Sequence, residues 1–174
     1  MPELPEVETI VRGLKKKIIG RRIKSAWLDA PKLIKKPKPA VFLEKIKGLK
    51  IENIKRRAKN ILIYLSGDKI LLVHQKMTGH LLYGRWSVKN NKPFSLMSGV
   101  MRERVNDYIH IIFYLDNGWQ LALSDLRKFA KVMLASKNEI ENLEALKKLG
   151  PEPLEKGFDF LSFKRVIKNK KGKI

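Results

Sequence analysis

Residues 61–74 are Ile61-Leu62-Ile63-Tyr64-Leu65-Ser66-Gly67-Asp68-Lys69-Ile70-Leu71-Leu72-Val73-His74. Two apolar runs, each of strand length and rich in branched side chains, flank a short polar segment that contains glycine. This pattern is typical of a β-hairpin. It recurs where residues 108–115 and 119–123 flank Asp116-Asn117-Gly118, and Asn-Gly between apolar runs is a strong indicator of a tight hairpin turn. Two such hairpins predict a domain built mainly from strands.

The segments around the hairpins extend this prediction. Residues 23–28 and 51–56 predict further short strands, and residues 31–39 predict a basic loop interrupted by prolines. Residues 84–104 are polar and irregular, which predicts an exposed loop. Several short strands joined by tight turns predict a two-layer antiparallel β-sandwich, or flattened barrel, within an α+β fold that is mainly β.

Helices are predicted at both ends of the chain and beside the strands. An apolar stripe with spacings of three and four predicts an amphipathic helix over residues 2–17, ended near Gly20; the stripe consists of Leu4, Val7, Val11, Leu14 and Ile18. Shorter helices are predicted over residues 40–47, 138–149 and 158–168. Packing of the first stripe on the sandwich would hold the N-terminal residues in a fixed place.

The composition points to a polyanionic partner. The chain has 38 Lys+Arg against 17 Asp+Glu, a net charge of +21, and basic side chains bind phosphates with release of counterions. A generic basic or ribosome-associated protein is an alternative with the same charge. The chain has no cysteine and only three scattered histidines, so neither disulfides nor a metal site is predicted within it. Without a signal peptide or a long apolar run, it is expected to be cytoplasmic, with no membrane partner.

The second residue is a candidate nucleophile. Removal of the initiator methionine would make Pro2 the N-terminus, with a secondary amine whose pKa lies near about 7.7–8. The unprotonated amine can attack an aldehyde-level carbon and form an iminium, and Glu3 beside it could transfer a proton. Taken alone, however, Pro2 and the early acidic residues are better explained as ordinary features of a helix start.

Three further clusters combine basic and apolar side chains. The first, residues 56–59, places Lys59 at a strand start as a candidate phosphate ligand. The second, residues 74–79, carries Met77 on a turn as a candidate wedge between base steps. The third, residues 124–129, sets Arg127 and Lys128 beside Phe129, a combination suited to phosphate contact and base stacking. Taken singly, each is better explained by a solvated turn or by core packing.

Taken together and in this order, these segments resemble one family, the formamidopyrimidine-DNA glycosylases, which are the Fpg branch of the Fpg/Nei family. The resemblance covers the whole chain and rests on Met1-Pro2-Glu3-Leu4-Pro5-Glu6-Val7-Glu8-Thr9, Arg57-Ala58-Lys59, His74 with Met77-Thr78-Gly79, Asn117-Gly118, Asp125 with Arg127 and Phe129, and Leu149-Gly150-Pro151-Glu152-Pro153-Leu154. Leu4 and the Val7-Glu8 pair favour the Fpg branch over the Nei branch.

The resemblance implies base-excision repair of oxidised purines by a bifunctional DNA glycosylase/AP lyase. The Pro2 nitrogen would form a Schiff base at C1′ and start β,δ-elimination, with Glu3 as general acid/base and Lys59 on the lesion phosphate. The implied partner is double-stranded DNA that contains an oxidised purine or an abasic site, bound by a monomeric, nucleoid-associated bacterial protein. Damage lowers the cost of turning the base out of the stack.

The resemblance also implies a set of DNA-binding residues. Met77 and Phe129 would fill the void left by the extruded base, and Arg127 would face the orphaned cytosine. His74 and Lys170 would contact the DNA backbone. Lys128 stands where the family usually has arginine, which keeps the charge but loses the planar fork of donors.

The resemblance implies a boundary near residue 150. Residues 1–150 are expected to form the catalytic domain, and residues 151–174 a helix and the start of a linker. The family continues with a helix–two-turn–helix motif and a Cys₄ zinc finger, so this chain is expected to be a truncated form without a cofactor of its own. A non-catalytic basic DNA-binding module and an RNA-associated protein stay open as alternatives, as does the preferred lesion.

Overall fold

The computed structural model describes residues 2–97, 104–155 and 157–168. Within them, two sheets pack face to face. The first sheet has the order β1-β9-β10-β6, formed by β1 (Ile23–Leu28), β9 (Ile109–Leu115), β10 (Gln120–Asp125) and β6 (Gly79–Gly84). The second has the order β2-β11-β5-β4-β3, formed by β2 (Ile34–Lys36), β11 (Lys131–Ser136), β5 (Lys69–His74), β4 (Asn60–Leu65) and β3 (Ile51–Arg57). The predicted two-layer, mainly β fold is confirmed.

The core lies between the two sheets because alternate strand residues point inward. Ile61 and Ile63 of β4 pair with Val73 and Leu71 of β5, and all four are buried in the central cluster. The predicted hairpin over residues 61–74 is therefore confirmed. The strand pairs are antiparallel except β2 and β11, which run parallel at the sheet edge.

The first helix, α1 (Leu4–Ile18), places the N-terminal residues. It buries Val7, Val11, Leu14 and Ile18, as the stripe predicted, and it packs against β3. It begins two residues later than predicted because Glu3 occupies the N-cap in an extended conformation. The backbone N–H of Glu3 donates to Glu6 Oε2 at 3.0 Å, which satisfies a donor at the helix start.

The predicted exposed loop over residues 84–104 is wrong in part. Residues 86–95 form a hairpin of β7 (Trp86–Lys89) and β8 (Lys92–Ser95). Asn90 and Asn91 have φ of 50° and 58°, the left-handed values that a tight hairpin turn requires. The strand is stabilised by burial of Trp86, whose indole N–H donates to Asn106 Oδ1 at 2.9 Å. The polar turn residues are the reason that the sequence pattern predicted a loop rather than a strand pair. Residues 98–103 of the predicted loop lie outside the described residues.

Two other predictions differ from the structure in detail. The basic loop over residues 31–39 contains β2 because Leu33 and Ile34 are buried. The helix predicted over residues 138–149 is two short helices, α3 (Lys137–Glu141) and α4 (Glu144–Lys147), separated at Asn142. Together they cover the outer face of the second sheet with Ile140 and Leu146.

The remaining helices agree with the predictions to within two residues. The second helix, α2 (Pro39–Ile46), buries Phe42 and Ile46. The last helix, α5 (Phe160–Lys168), buries none of its side chains. In the described residues, every helix is too short or too polar to cross a membrane.

Candidate functional site

The structure brings the three predicted catalytic residues to one place. Lys59 lies in the turn between β3 and β4, and its Nζ lies 2.5 Å from Glu3 Oε2 at the start of α1. Pro2 is adjacent to Glu3 in the chain and is buried. The Lys59 and Glu3 side chains are 36% and 49% exposed, so the pair faces solvent and is open to a substrate.

A chain of ion pairs lies beneath this pair. Arg56 Nε donates to Glu8 Oε2 at 2.7 Å, and Arg56 Nη1 lies 2.5 Å from Glu152 Oε2. Glu152 also accepts from Arg57 Nη1 at 3.1 Å, and Arg57 donates to the carbonyls of Leu149 and Gly150. The buried carboxylate of Glu152 lies between two guanidiniums, and these contacts tie the segment over residues 149–152 to the β3–β4 turn.

The charges in this chain of ion pairs are matched. Burial opposes ionisation of Glu152, but hydrogen bonds from the Ala58 N–H, Arg56 and Arg57 outweigh it, so the pKa of Glu152 is lowered. The pKa of Glu8 is also lowered, chiefly by its hydrogen bond from Arg56. Both carboxylates are therefore ionised at neutral pH and hold the basic turn in place.

A pocket of about 460 Å³ adjoins Lys59 on the outer face of the second sheet. Its polar lining consists of Lys59, Asn60, His74, Lys76 and Lys131. Burial, followed by the charges of Lys76, Lys131 and Lys59, lowers the pKa of His74, while His74 Nδ1 accepts from the Lys76 N–H at 3.1 Å. His74 is thus a neutral side chain among cations, in a surface suited to a phosphate backbone.

Met77, Arg127 and Phe129 form a second exposed cluster. Arg127 Nη1 lies 3.2 Å from the Met77 sulfur, and its guanidinium carbon lies 4.6 Å from the centroid of the Phe129 ring. Met77 and Phe129 are 43% and 48% exposed. The alternative prediction that Phe129 packs in the core is wrong, because Phe129 and Met77 project into solvent from two different loops. Exposed apolar side chains beside an arginine are suited to entering a base stack.

Asp125 joins the two loops that carry this cluster. The carboxylate of Asp125 is fully buried and accepts from Thr78 Oγ1 at 2.5 Å and from the Ala130 N–H at 2.7 Å. Thr78 Oγ1 in turn accepts from the Arg127 N–H at 3.1 Å. Gly79, which follows Thr78 and begins β6, cannot carry a side chain because a Cβ there would collide with the Gln75 carbonyl. One carboxylate therefore fixes Met77 relative to Arg127 and Phe129.

Of the two other predicted DNA-binding residues, Lys128 lies in the described part of the chain and Lys170 does not. Lys128 adopts a left-handed conformation, with φ of 54°, and its N–H donates to the Asp125 carbonyl at 3.0 Å. Lys170 lies outside the described residues, so its predicted role stays a prediction. The predicted domain boundary at residue 150 also stays a prediction.

Sequence reasoning missed the residues that support the site. In the sequence, Arg56 and Glu152 stand only as parts of longer segments, and Asp125 and Thr78 only as neighbours of the predicted DNA-binding residues. The available signal was the presence of charged or polar residues inside segments that are otherwise apolar or turn-forming. Their partners are far apart in the chain, as with Arg56 and Glu152, so the pairing appears only in the fold.

The described residues contain no group of three or more histidine, cysteine or acidic side chains placed to hold a metal ion. The chain has no cysteine and so supplies no ligand for the Cys₄ zinc site that the resemblance assigns to the family's C-terminal region. The expectation that this chain carries no cofactor stays a prediction.

Comparison with known proteins agrees with this geometry. The formamidopyrimidine-DNA glycosylase of Desulforamulus reducens is 35% identical over 100% of this chain and 58% of its own length. That of Protochlamydia amoebophila is 38% identical over 98% of the chain and 55% of its own length. The chain therefore spans little more than half the length of these relatives.

Solved structures agree as well. The Lactococcus lactis Fpg in complex with DNA containing an abasic site matches with a TM-score of 0.75 at 28% identity, covering 97% of this chain and 57% of that one. The family model described as the formamidopyrimidine-DNA glycosylase N-terminal domain matches residues 1–132. With the paired Lys59 and Glu3 beside Pro2, these matches show that the chain belongs to the formamidopyrimidine-DNA glycosylase family.

Proposed function

We propose that this chain is the catalytic N-terminal part of a DNA glycosylase/AP lyase that removes oxidised purines through a Schiff base on Pro2. The observation that carries the proposal is the Lys59–Glu3 pair, 2.5 Å apart at the start of α1. It sets a proton-transfer group and a cation directly beside the residue whose nitrogen becomes the N-terminus. In this proposal, residues 1–150 are the catalytic domain and residues 151–174 lead toward a C-terminal region.

The first chemical step is exchange of the base for the protein amine. The unprotonated Pro2 nitrogen attacks C1′ of the damaged nucleotide, the bond from C1′ to the base breaks, and the base leaves with a proton. Glu3 supplies a proton to the sugar as its ring opens, which leaves an iminium between Pro2 and C1′.

The second step is strand cleavage. The iminium withdraws electrons and acidifies the C2′ proton. Transfer of that proton to water, assisted by Lys59, breaks the bond from C3′ to the 3′ phosphate oxygen by β-elimination. A second elimination then breaks the bond from C5′ to the 5′ phosphate oxygen. Lys59 holds the lesion phosphate and stabilises its negative charge as it leaves, and water finally releases Pro2 from the sugar fragment.

The exposed cluster of Met77, Arg127 and Phe129 supports a duplex DNA substrate. Extrusion of the damaged base leaves a void and an unpaired partner base. Met77 and Phe129 fill the void, and Arg127 donates to the orphaned base. His74, Lys128 and Lys170 contact the DNA backbone in this proposal. Action on chromosomal DNA places the protein in the cytoplasm, as a monomer at the bacterial nucleoid.

Borohydride trapping tests this function, because reduction makes the iminium permanent. The full chain, with Met1 removed, is incubated with duplexes that contain 8-oxoguanine, an abasic site or no lesion. We expect a covalent band with both lesion duplexes and none with intact DNA. A protein extended by Gly-Ser before Pro2 is the control and should give no band. Salt-sensitive binding without any band, in both proteins, would favour the non-catalytic DNA-binding module instead.

A further inference from the structure

We infer that Glu152 is a positioning residue for Lys59, which it holds through the backbone of Ala58. The inference rests on the proposed function, in which Lys59 acts at the reacting phosphate. Glu152 is far in the chain from Pro2, Glu3 and Lys59, and folding brings it near them.

The residue before Lys59 has an unfavourable backbone conformation. Ala58 has φ of 49°, which lies in the left-handed region that residues with a Cβ rarely adopt. Such a conformation persists only where neighbouring groups hold it. The direction in which Lys59 leaves the turn depends on this conformation, because Lys59 is the next residue.

Both peptide groups of Ala58 are held by one buried ion pair. The Ala58 N–H donates to Glu152 Oε1 at 2.5 Å, and the Ala58 carbonyl accepts from Arg56 Nη1 at 3.1 Å. Arg56 Nη1 in turn lies 2.5 Å from Glu152 Oε2, with the two side chains 4% and 5% exposed. This closed ring of contacts holds the backbone of Ala58 in its left-handed conformation.

The same ion pair reaches the helix that carries Glu3. Arg56 Nε donates to Glu8 Oε2 at 2.7 Å, and Glu8 lies on α1 within two turns of Glu3. Arg56 is thus linked to both partners of the Lys59–Glu3 pair. It reaches Lys59 through the backbone of Ala58 in the turn, and it reaches Glu3 through Glu8 on α1. Loss of the Glu152 charge should loosen the turn while α1 stays attached to Arg56.

A pair of substitutions separates positioning from a general loss of stability. Glu152→Gln keeps the size and an acceptor oxygen but removes the charge that holds Arg56 and Arg57. Ala58→Gly allows the left-handed conformation at little cost, since glycine has no Cβ. If Glu152 acts by holding a strained turn, Ala58→Gly should restore activity to Glu152→Gln.

The first experiment measures the single-turnover rate of imine trapping on abasic DNA at saturating protein, and the Kd for a duplex with an uncleavable abasic analogue. We expect Glu152→Gln to lower the rate about tenfold, as displacement of a positioned group does, with Kd unchanged within about twofold. Glu155→Gln, an exposed change in the same segment, should match the wild type. The double variant should recover most of the lost rate. A wild-type rate for Glu152→Gln, or no recovery in the double variant, would overturn the inference.

The second experiment does not depend on activity. Hydrogen exchange of the Ala58 amide is followed by NMR in the wild type and in Glu152→Ala, which removes the acceptor, with the buried Ile63 amide as the reference. We expect exchange at Ala58 to rise at least about tenfold while Ile63 is unchanged. Equal exchange at Ala58 in both proteins contradicts the inference. If even the wild type forms no imine, the proposed function fails, and this measurement still decides the role of Glu152.

Discussion

The guanidinium of Arg127 stacks on the ring of Phe129, with 4.6 Å between the guanidinium carbon and the ring centroid. Neither side chain is sheltered by the core, since Phe129 is 48% exposed and Arg127 is exposed as well. Stacking of a cation on an aromatic face is favourable, so the two side chains stay together before DNA binds. The cluster is therefore prepared to enter a duplex as a unit.

Phe129→Ala should weaken binding to a duplex with an abasic analogue by about 1–3 kcal/mol, or roughly five- to 150-fold in Kd, because stacking of the ring on the adjacent bases is lost. Binding to intact duplex should change much less, since the backbone contacts remain. Fluorescence anisotropy with both duplexes measures the two affinities. Leu126→Ala, a change of an exposed neighbour, is the matched control. An equal loss on both duplexes would show that Phe129 does not act at the lesion.

Asp125→Asn should destabilise the fold by about 1–3 kcal/mol, because the amide leaves a buried donor or acceptor unsatisfied where the carboxylate accepted from both Thr78 and Ala130. Urea denaturation followed by tryptophan fluorescence measures the free energy of unfolding. Asp116→Asn is the control, as its side chain is 40% exposed and 3.9 Å from Arg21. A change no larger than that of the control would mean that the buried carboxylate does not stabilise the two loops.

Glu3→Gln should cut excision of 8-oxoguanine by about 10²–10⁴-fold, the range for loss of a general acid/base. Affinity for the uncleavable duplex should stay close to that of the wild type, because the DNA contacts are untouched. Single-turnover excision assays and anisotropy give the two quantities. Glu44→Gln, an exposed change on α2, is the comparison. Unchanged excision by Glu3→Gln would remove Glu3 from the mechanism.

The lowered pKa of His74 makes stability depend on pH. The unfolded chain binds a proton at His74 near about pH 6.5, whereas the folded protein binds it only at lower pH. The free energy of unfolding should therefore fall as the pH drops below about 6.5, toward the folded-state pKa. Replacement by His74→Gln should flatten the curve between about pH 7 and pH 5.5, as measured by urea denaturation. Parallel curves for the two proteins would contradict a shifted His74.

Much of the fold could be predicted from the sequence because its signals are local. The hairpin over residues 61–74 and the stripe of α1 follow from periodicity alone. The hairpin of β7 and β8 could not, because polar turn residues such as Asn90 and Asn91 mask the burial of Trp86. The polar residues of this segment are typical of a loop. Burial of Trp86 depends on a hydrogen bond from its indole N–H to Asn106, which lies outside the segment.

In the candidate site, too, some residues could be predicted from the sequence and others could not. Pro2, Glu3 and Lys59 are candidates on the residues alone, the family resemblance gives them their roles, and the fold brings Lys59 against Glu3. The contacts of Glu152 with Ala58 and of Asp125 with Thr78 join segments far apart in the chain. Such long-range contacts leave no periodic signal, so only the three-dimensional structure reveals which charged residue holds which turn.

The central claim is that the Pro2 nitrogen is the group that bonds to the sugar. It is tested most directly by borohydride reduction on abasic DNA, followed by nuclease and trypsin digestion and mass spectrometry. Trypsin should release the N-terminal peptide over residues 2–12, ending at Arg12. We expect the sugar-derived mass on this peptide, with fragment ions that place it on Pro2. An adduct confined to a lysine-containing peptide, with the N-terminal peptide unmodified, would contradict the account.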